Sequence, residues 1–157
     1  MNDAYVWVKT IHILSATILF GTGLGTAFHM WLTHLSGDVR AIAVVSRNTV
    51  RADFLFTMPA VIVQPLSGAA LIWMTAADPL APWLLVVYAL YVVTGFCWAP
   101  VVYLQMQARD LADLALATGQ QLPTRYYRVM RIWFFLGWPA FIAVVAIMWL
   151  MVSKPGL

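Results

Sequence analysis

Four apolar runs set the terms for this chain. Each is roughly 20 residues or longer, the length a helix needs to cross a hydrocarbon core of about 30 Å. They fall at about 5–34, 53–75, 83–107 and 131–152. In lipid no water is present to satisfy backbone N–H and C=O groups, so each run is expected to be a helix. The expected fold is all-α: a polytopic membrane protein with four transmembrane helices in a compact bundle, one domain over residues 1–157.

Composition excludes a soluble domain of the same length. Of 157 residues, 63% are hydrophobic and 10% charged, against about 25% charged in soluble domains. The net charge of +3 does not read as a nucleic-acid surface, because the Arg residues sit in short connections between apolar runs. Anionic lipid headgroups are their expected neighbours, and the lipid bilayer is the expected partner. The single cysteine, Cys97, excludes an internal disulfide and a cysteine-clustered metal site. The first run lacks a basic leader and a small-residue cleavage site, and reads as a retained helix.

Charge also predicts orientation. All seven Arg lie in residues 35–52, in residues 108–130 or at the adjoining helix ends, whereas Lys9 and Lys154 belong to the opposite face. The positive-inside rule puts both Arg-bearing connections in the cytoplasm of a bacterial inner membrane and both termini outside it. Residues 109–118 are expected to prolong the third helix as an amphipathic extension, ended by Gly119, with Pro123 opening the fourth.

"GTGLGT", residues 21–26, does not read as a nucleotide fingerprint, because it lies inside a membrane run with no strand before it. Gly21 and Gly25, four apart, are expected to line a close helix–helix contact, within the chain or in a homodimer. Pro59, Pro65, Pro100 and Pro139 each remove a backbone donor and free an upstream carbonyl, giving either simple kinks or a widened cavity. Gln64, Thr22 and Thr94 fall at similar depths. They either line a polar pocket or make ordinary interhelical hydrogen bonds, worth about 0.6 kcal/mol each. Asp53 is placed to cap the second span or to pair with Arg51, Arg109 or Arg131. Arg125, Arg128 and Arg131 form one basic stripe, read as a lipid-facing anchor.

The first run opens on "WVKTIH", which puts Lys9 and His12 three residues apart on one helix face. Lys9 can snorkel to the interface. His12 lies about 4.5 Å deeper at a rise of about 1.5 Å per residue. An imidazole there is either neutral, hydrogen-bonded and silent, or a ligand to haem iron or another metal. An intramembrane ionisable group is a functional candidate by default. His29, about 25 Å along the same helix, cannot share its iron. Met74, Met148 and Met151 lie near the level of His12, where packing is the ordinary role of a methionine.

Two resemblances follow. "WVKTIHILSATILFGTGLGTAF", "RADFLFTMPAVIVQPLSG", "CWAPVVYLQMQARDLA" and "RIWFFLGWPAF" with "MWLMVSKP" resemble the bacterial family of predicted integral membrane proteins known as domain of unknown function 2269. More distantly, Trp7, Lys9 and His12, Tyr126 with Arg128 (or Tyr127 near it), and Lys154 with Pro155 are similar to motifs of the flavin-independent membrane protoporphyrinogen oxidase. That resemblance implies haem b, with His12 as axial ligand and Lys9 beside a propionate. It stops short of the third helix, where residues 83–97 contain neither Lys nor His. The expected function is haem b binding with a redox or electron-transfer role. The alternative is a haem-free accessory or small-solute transport protein, in a homodimer or a larger membrane complex.

Overall fold

The computed structural model describes residues 3–155. Helix α1 spans Asp3–Ser36 and α2 spans Val39–Ala52; a π turn, Asp53–Thr57, leads into α3, Met58–Thr75. Helices α4 (Pro82–Thr118) and α5 (Thr124–Ser153) complete the order, with no strand among the described residues. Helix α2, the π turn and α3 run on as one 37-residue rod, so four rods are long and apolar enough to cross a membrane.

The caps have local causes. Gly119 adopts φ +65°, and Gln120 N–H bonds back to the Ala115 carbonyl at 3.0 Å. That is the six-to-one closure of a left-handed C-terminal cap. Pro123, at φ −72°, precedes the first residue of α5, where a missing N–H costs nothing. Asp38 accepts from Arg40 N (2.8 Å) and Ala41 N (3.2 Å), and so starts α2.

Helix α2 is the chief departure from the sequence reading, which left residues 35–52 as a connection. Ile42, Val45, Ser46, Thr49 and Val50 are all buried. Their spacing of i, i+3, i+4, i+7 and i+8 is that of an amphipathic helix. Asp53 therefore does not cap the second span, since it continues a helix that began at Val39.

Packing is uneven along the bundle. The buried cluster consists of Met30 of α1, Ile42, Ala43 and Val45 of α2, Ala108, Ala112 and Ala115 of α4, Leu122, and Tyr126, Val129, Met130 and Trp133 of α5. All belong to the Arg-bearing end. Beyond it the rods sort into two pairs, α1 with α3 and α4 with α5, and α2 bridges the pairs by packing on both α4 and α1. The pairs meet through a few long side chains, such as the stacked rings of Phe20 and Phe141, 5.5 Å between centroids. Gly21 and Gly25 do not sit in a close contact within the chain. A Cβ built at either would meet nothing within 4 Å, so the small-residue motif faces outward.

Ala43, Ala108 and Ala112 are fully buried, which leaves no room for a larger side chain between α2 and α4. Ala112→Leu is expected to destabilise by about 1–3 kcal/mol through overpacking. Leu114→Ala, at an exposed position of the same helix, should stay within about 0.5 kcal/mol. Thermal melts of both variants in detergent, followed by circular dichroism, check the contrast.

Candidate functional site: an intramembrane cavity beside a histidine network

The gap between the two helix pairs is a cavity of about 340 Å³, within the range of small-molecule sites. Its walls are mostly apolar: Leu19 and Phe20 of α1, Trp98 and Val101 of α4, and Phe134, Trp138, Phe141 and Val144 of α5 contribute. Few polar groups reach it. Gln64, Tyr91 and Thr94 line the middle section, and Asp53, Thr57, Gln105 and Trp133 belong to the Arg-bearing end.

Proline shapes one wall. Pro65 lies inside α3 and cannot donate to the carbonyl four residues earlier, that of Val61. The Tyr91 hydroxyl of α4 donates to that same carbonyl. The helix defect in α3 is thus repaired by the opposite helix pair, which ties α3 to α4 across the cavity.

His12 lies next to this cavity, behind Gln64. Its Nδ1 is 2.9 Å from Ser67 Oγ and its Nε2 is 3.2 Å from Gln64 Nε2. Ser67 Oγ donates to the Val63 carbonyl at 2.7 Å, so toward His12 it accepts, and the imidazole proton belongs on Nδ1. Gln64 donates through its amide nitrogen to Nε2 and accepts from the Ser15 hydroxyl at its oxygen. With the Gln64 amide in this orientation, donors and acceptors match around the ring for a neutral imidazole. Gly68 lets the ring approach α3, since a Cβ there would come within 3.3 Å of His12 Cε1.

The structure separates the remaining sequence candidates. Gln64 and Thr94 share the cavity wall, although Thr94 spends its hydroxyl on the Leu90 carbonyl at 2.8 Å. Thr22 does not line the cavity; its backbone carbonyl accepts from Thr26 at 2.7 Å. Lys9 is exposed, its ammonium 5.7 Å from the Tyr5 ring centre. Met74 and Met151 are half-buried and Met148 is exposed. Arg125, Arg128 and Arg131 are exposed, as a headgroup-facing stripe requires. Asp53 makes no ion pair with Arg51, Arg109 or Arg131 among the described residues; Arg109 pairs with Asp110 at 2.8 Å and Arg47 with Asp113 at 3.2 Å.

Ser15 and Gln105 were not singled out for chemistry by the sequence reading, which took Ser67 and Gly68 only as polarity beside Gln64, not as partners of His12. The signal for Ser15 and Ser67 was available: Ser15 is three residues from His12 and Ser67 three from Gln64, each pair on one helical face.

The donor set does not favour an iron at His12. Both ring nitrogens already have protein partners, and one edge of the ring rests on α3 at Gly68. No cluster of three or more His, Cys, Asp or Glu side chains with metal-holding geometry occurs among the described residues.

Four apolar rods, a cavity between them and an Arg-rich end define an integral membrane protein of the all-α class. The chain belongs to the family described as predicted integral membrane protein (DUF2269), which residues 6–155 match. No curated protein and no solved structure matches the chain.

The hydrogen-bond network fixes one observable. Nitrogen-15 NMR of the histidine-labelled protein should show His12 neutral with its proton on Nδ1, and Gln64→Leu should shift the Nε2 resonance most. A proton on Nε2 in the unmodified protein would contradict the network.

Proposed function

We propose that the protein is a haem-free, non-enzymatic membrane protein that receives a small, largely apolar molecule in the cavity between its two helix pairs. The observation that carries this reading is the cavity itself: about 340 Å³, walled by aromatic and aliphatic side chains, with polar groups at a few points. Hydrophobic walls with sparse polar groups are the usual make-up of a small-molecule site. A ligand would come from the bilayer, where apolar solutes concentrate. Gln64 is the internal link of this reading, because it faces the cavity and also holds His12. Occupancy would thereby be felt by the histidine network.

Haem b on His12, with Lys9 near a propionate, is the competing reading, and it requires Gln64 to give up its bond to Nε2. The two readings differ in a spectrum. Purified protein from haem-replete cells is expected to show no Soret band, and extraction should release an apolar small molecule that Gly137→Phe no longer retains. Gly137 lines the cavity, and a Cβ there meets nothing within 4 Å, so a side chain at this position can enter the site. A Soret band that disappears in His12→Ala would overturn the proposal in favour of haem.

The same reading places the chain in a bacterial inner membrane with both termini outside the cytoplasm, supported by the segregation of Arg and Lys. The outward-facing Gly21 and Gly25 would be the seat for a second copy. A periplasm-active reporter fused after Leu157 should be active, and one inserted at Gly119 inactive. The reverse pattern would invert the orientation.

A further inference from the structure

We infer that the Arg-bearing end of the cavity is a recognition site for a protonated amine, so that the molecule received there is a lipophilic amine. This rests on the reading of the cavity as a ligand site and adds the chemistry of its polar end. Asp53, Gln105 and Trp133 all line the cavity, and each is 4% exposed. Each also carries an atom with no hydrogen-bond partner: Asp53 Oδ2, Gln105 Oε1 and Trp133 Nε1. Buried polar atoms are rarely left unpaired, and one that is calls for an explanation. Here two of the three are acceptors, and the Gln105 amide lies beside the Asp53 carboxyl.

The other Asp53 oxygen is held. Thr57 donates to Oδ1 at 3.0 Å, while Oδ2 is buried without a hydrogen-bond partner. The π turn contributes to this arrangement. Met58 N–H bonds to the Asp53 carbonyl five residues back, in the wide turn that recurs at functional sites. Asp53 has no cationic partner among the described residues, although Arg51 is two residues away. A buried carboxylate without a counter-charge is costly. Both oxygens are buried, so a ligand reaches them by a rotation of the Asp53 and Gln105 side chains; its ammonium group would then supply both the missing charge and the N–H donors that Asp53 Oδ2 and Gln105 Oε1 can accept. Its hydrocarbon part would extend along the apolar wall formed by Trp138, Phe141 and Val144. An anionic ligand is disfavoured, because it would face two acceptors, one of them a carboxyl oxygen, with a single indole N–H to bind it.

The test compares two probes of equal length, n-decylammonium chloride and n-decanol. Their binding to detergent-solubilised full-length protein is read from the ligand-dependent shift in thermal midpoint at matched micellar concentration. The unmodified protein should bind the amine about tenfold or more tightly than the alcohol, a ratio in keeping with a charge-assisted hydrogen bond. Asp53→Asn should bring the ratio to within about twofold of one while decanol binding is kept. Gln105→Leu should lower the ratio partway and guards against a folding defect confined to the Asp53 variant. Equal binding of both probes by the unmodified protein, or a ratio unmoved by Asp53→Asn, overturns the amine inference and leaves the cavity reading standing. Binding of neither probe overturns both.

Discussion

Helix α2 docked against α4 is the contact on which the rest of the molecule depends. A bundle in lipid gains little from hydrophobic burial between its spans, because lipid tails are as apolar as the side chains. Burial from water is available only outside the hydrocarbon layer. This chain uses it there: the buried cluster around Ile42, Ala43, Ala108, Ala112 and Met130 lies at the Arg-bearing end. Each buried Val or Ile contributes about 1.5–3 kcal/mol in that setting. Fully buried alanines on both α2 and α4 let the two helices approach closely, and the Arg47–Asp113 pair closes the rim at 3.2 Å.

With one end clamped, the two helix pairs are free to stand apart elsewhere, and the cavity follows. The polar groups in and beside it are nearly all committed to structural bonds. Tyr91 repairs the carbonyl that Pro65 leaves open. Ser15, Gln64, His12 and Ser67 form one chain of donors and acceptors joining α1 to α3. Such bonds are individually modest, but in lipid the alternative is a polar group without water. Asp53, Gln105 and Trp133 differ because each lines the cavity and also keeps a buried atom unpaired. The end of the molecule that is best packed is therefore also the one with unspent hydrogen-bonding capacity.

Much of the helical framework was legible from residue order alone. The apolar runs, the extension of α4 to Thr118, the cap at Gly119 and the start of α5 beside Pro123 each have a local cause. Helix α2 was legible too, through the spacing of Ile42, Val45, Ser46, Thr49 and Val50, but the three Arg among them read as loop charges and masked it. His12 stood out as an ionisable group inside an apolar run. Its partners did not, because Gln64 and Ser67 are more than 50 residues away along the chain. Gly21 and Gly25 mark a different limit: a small-xxx-small spacing shows where a close contact is sterically open, without showing whether the partner lies in the same chain, where none does.

By itself the sequence determined the medium, the number of spanning rods and the face that carries Arg, because length, hydropathy and charge act locally. Only the tertiary structure decided which side of each rod faces its neighbours. Residues on the lipid side and the protein side of a membrane helix are alike apolar, so periodicity does not encode that rotation. Packing at the α2–α4 clamp and a few long-range hydrogen bonds set it instead. They turned His12 toward Gln64 and Ser67, left Thr22 away from the cavity, and brought Asp53 to its wall with one oxygen unpaired.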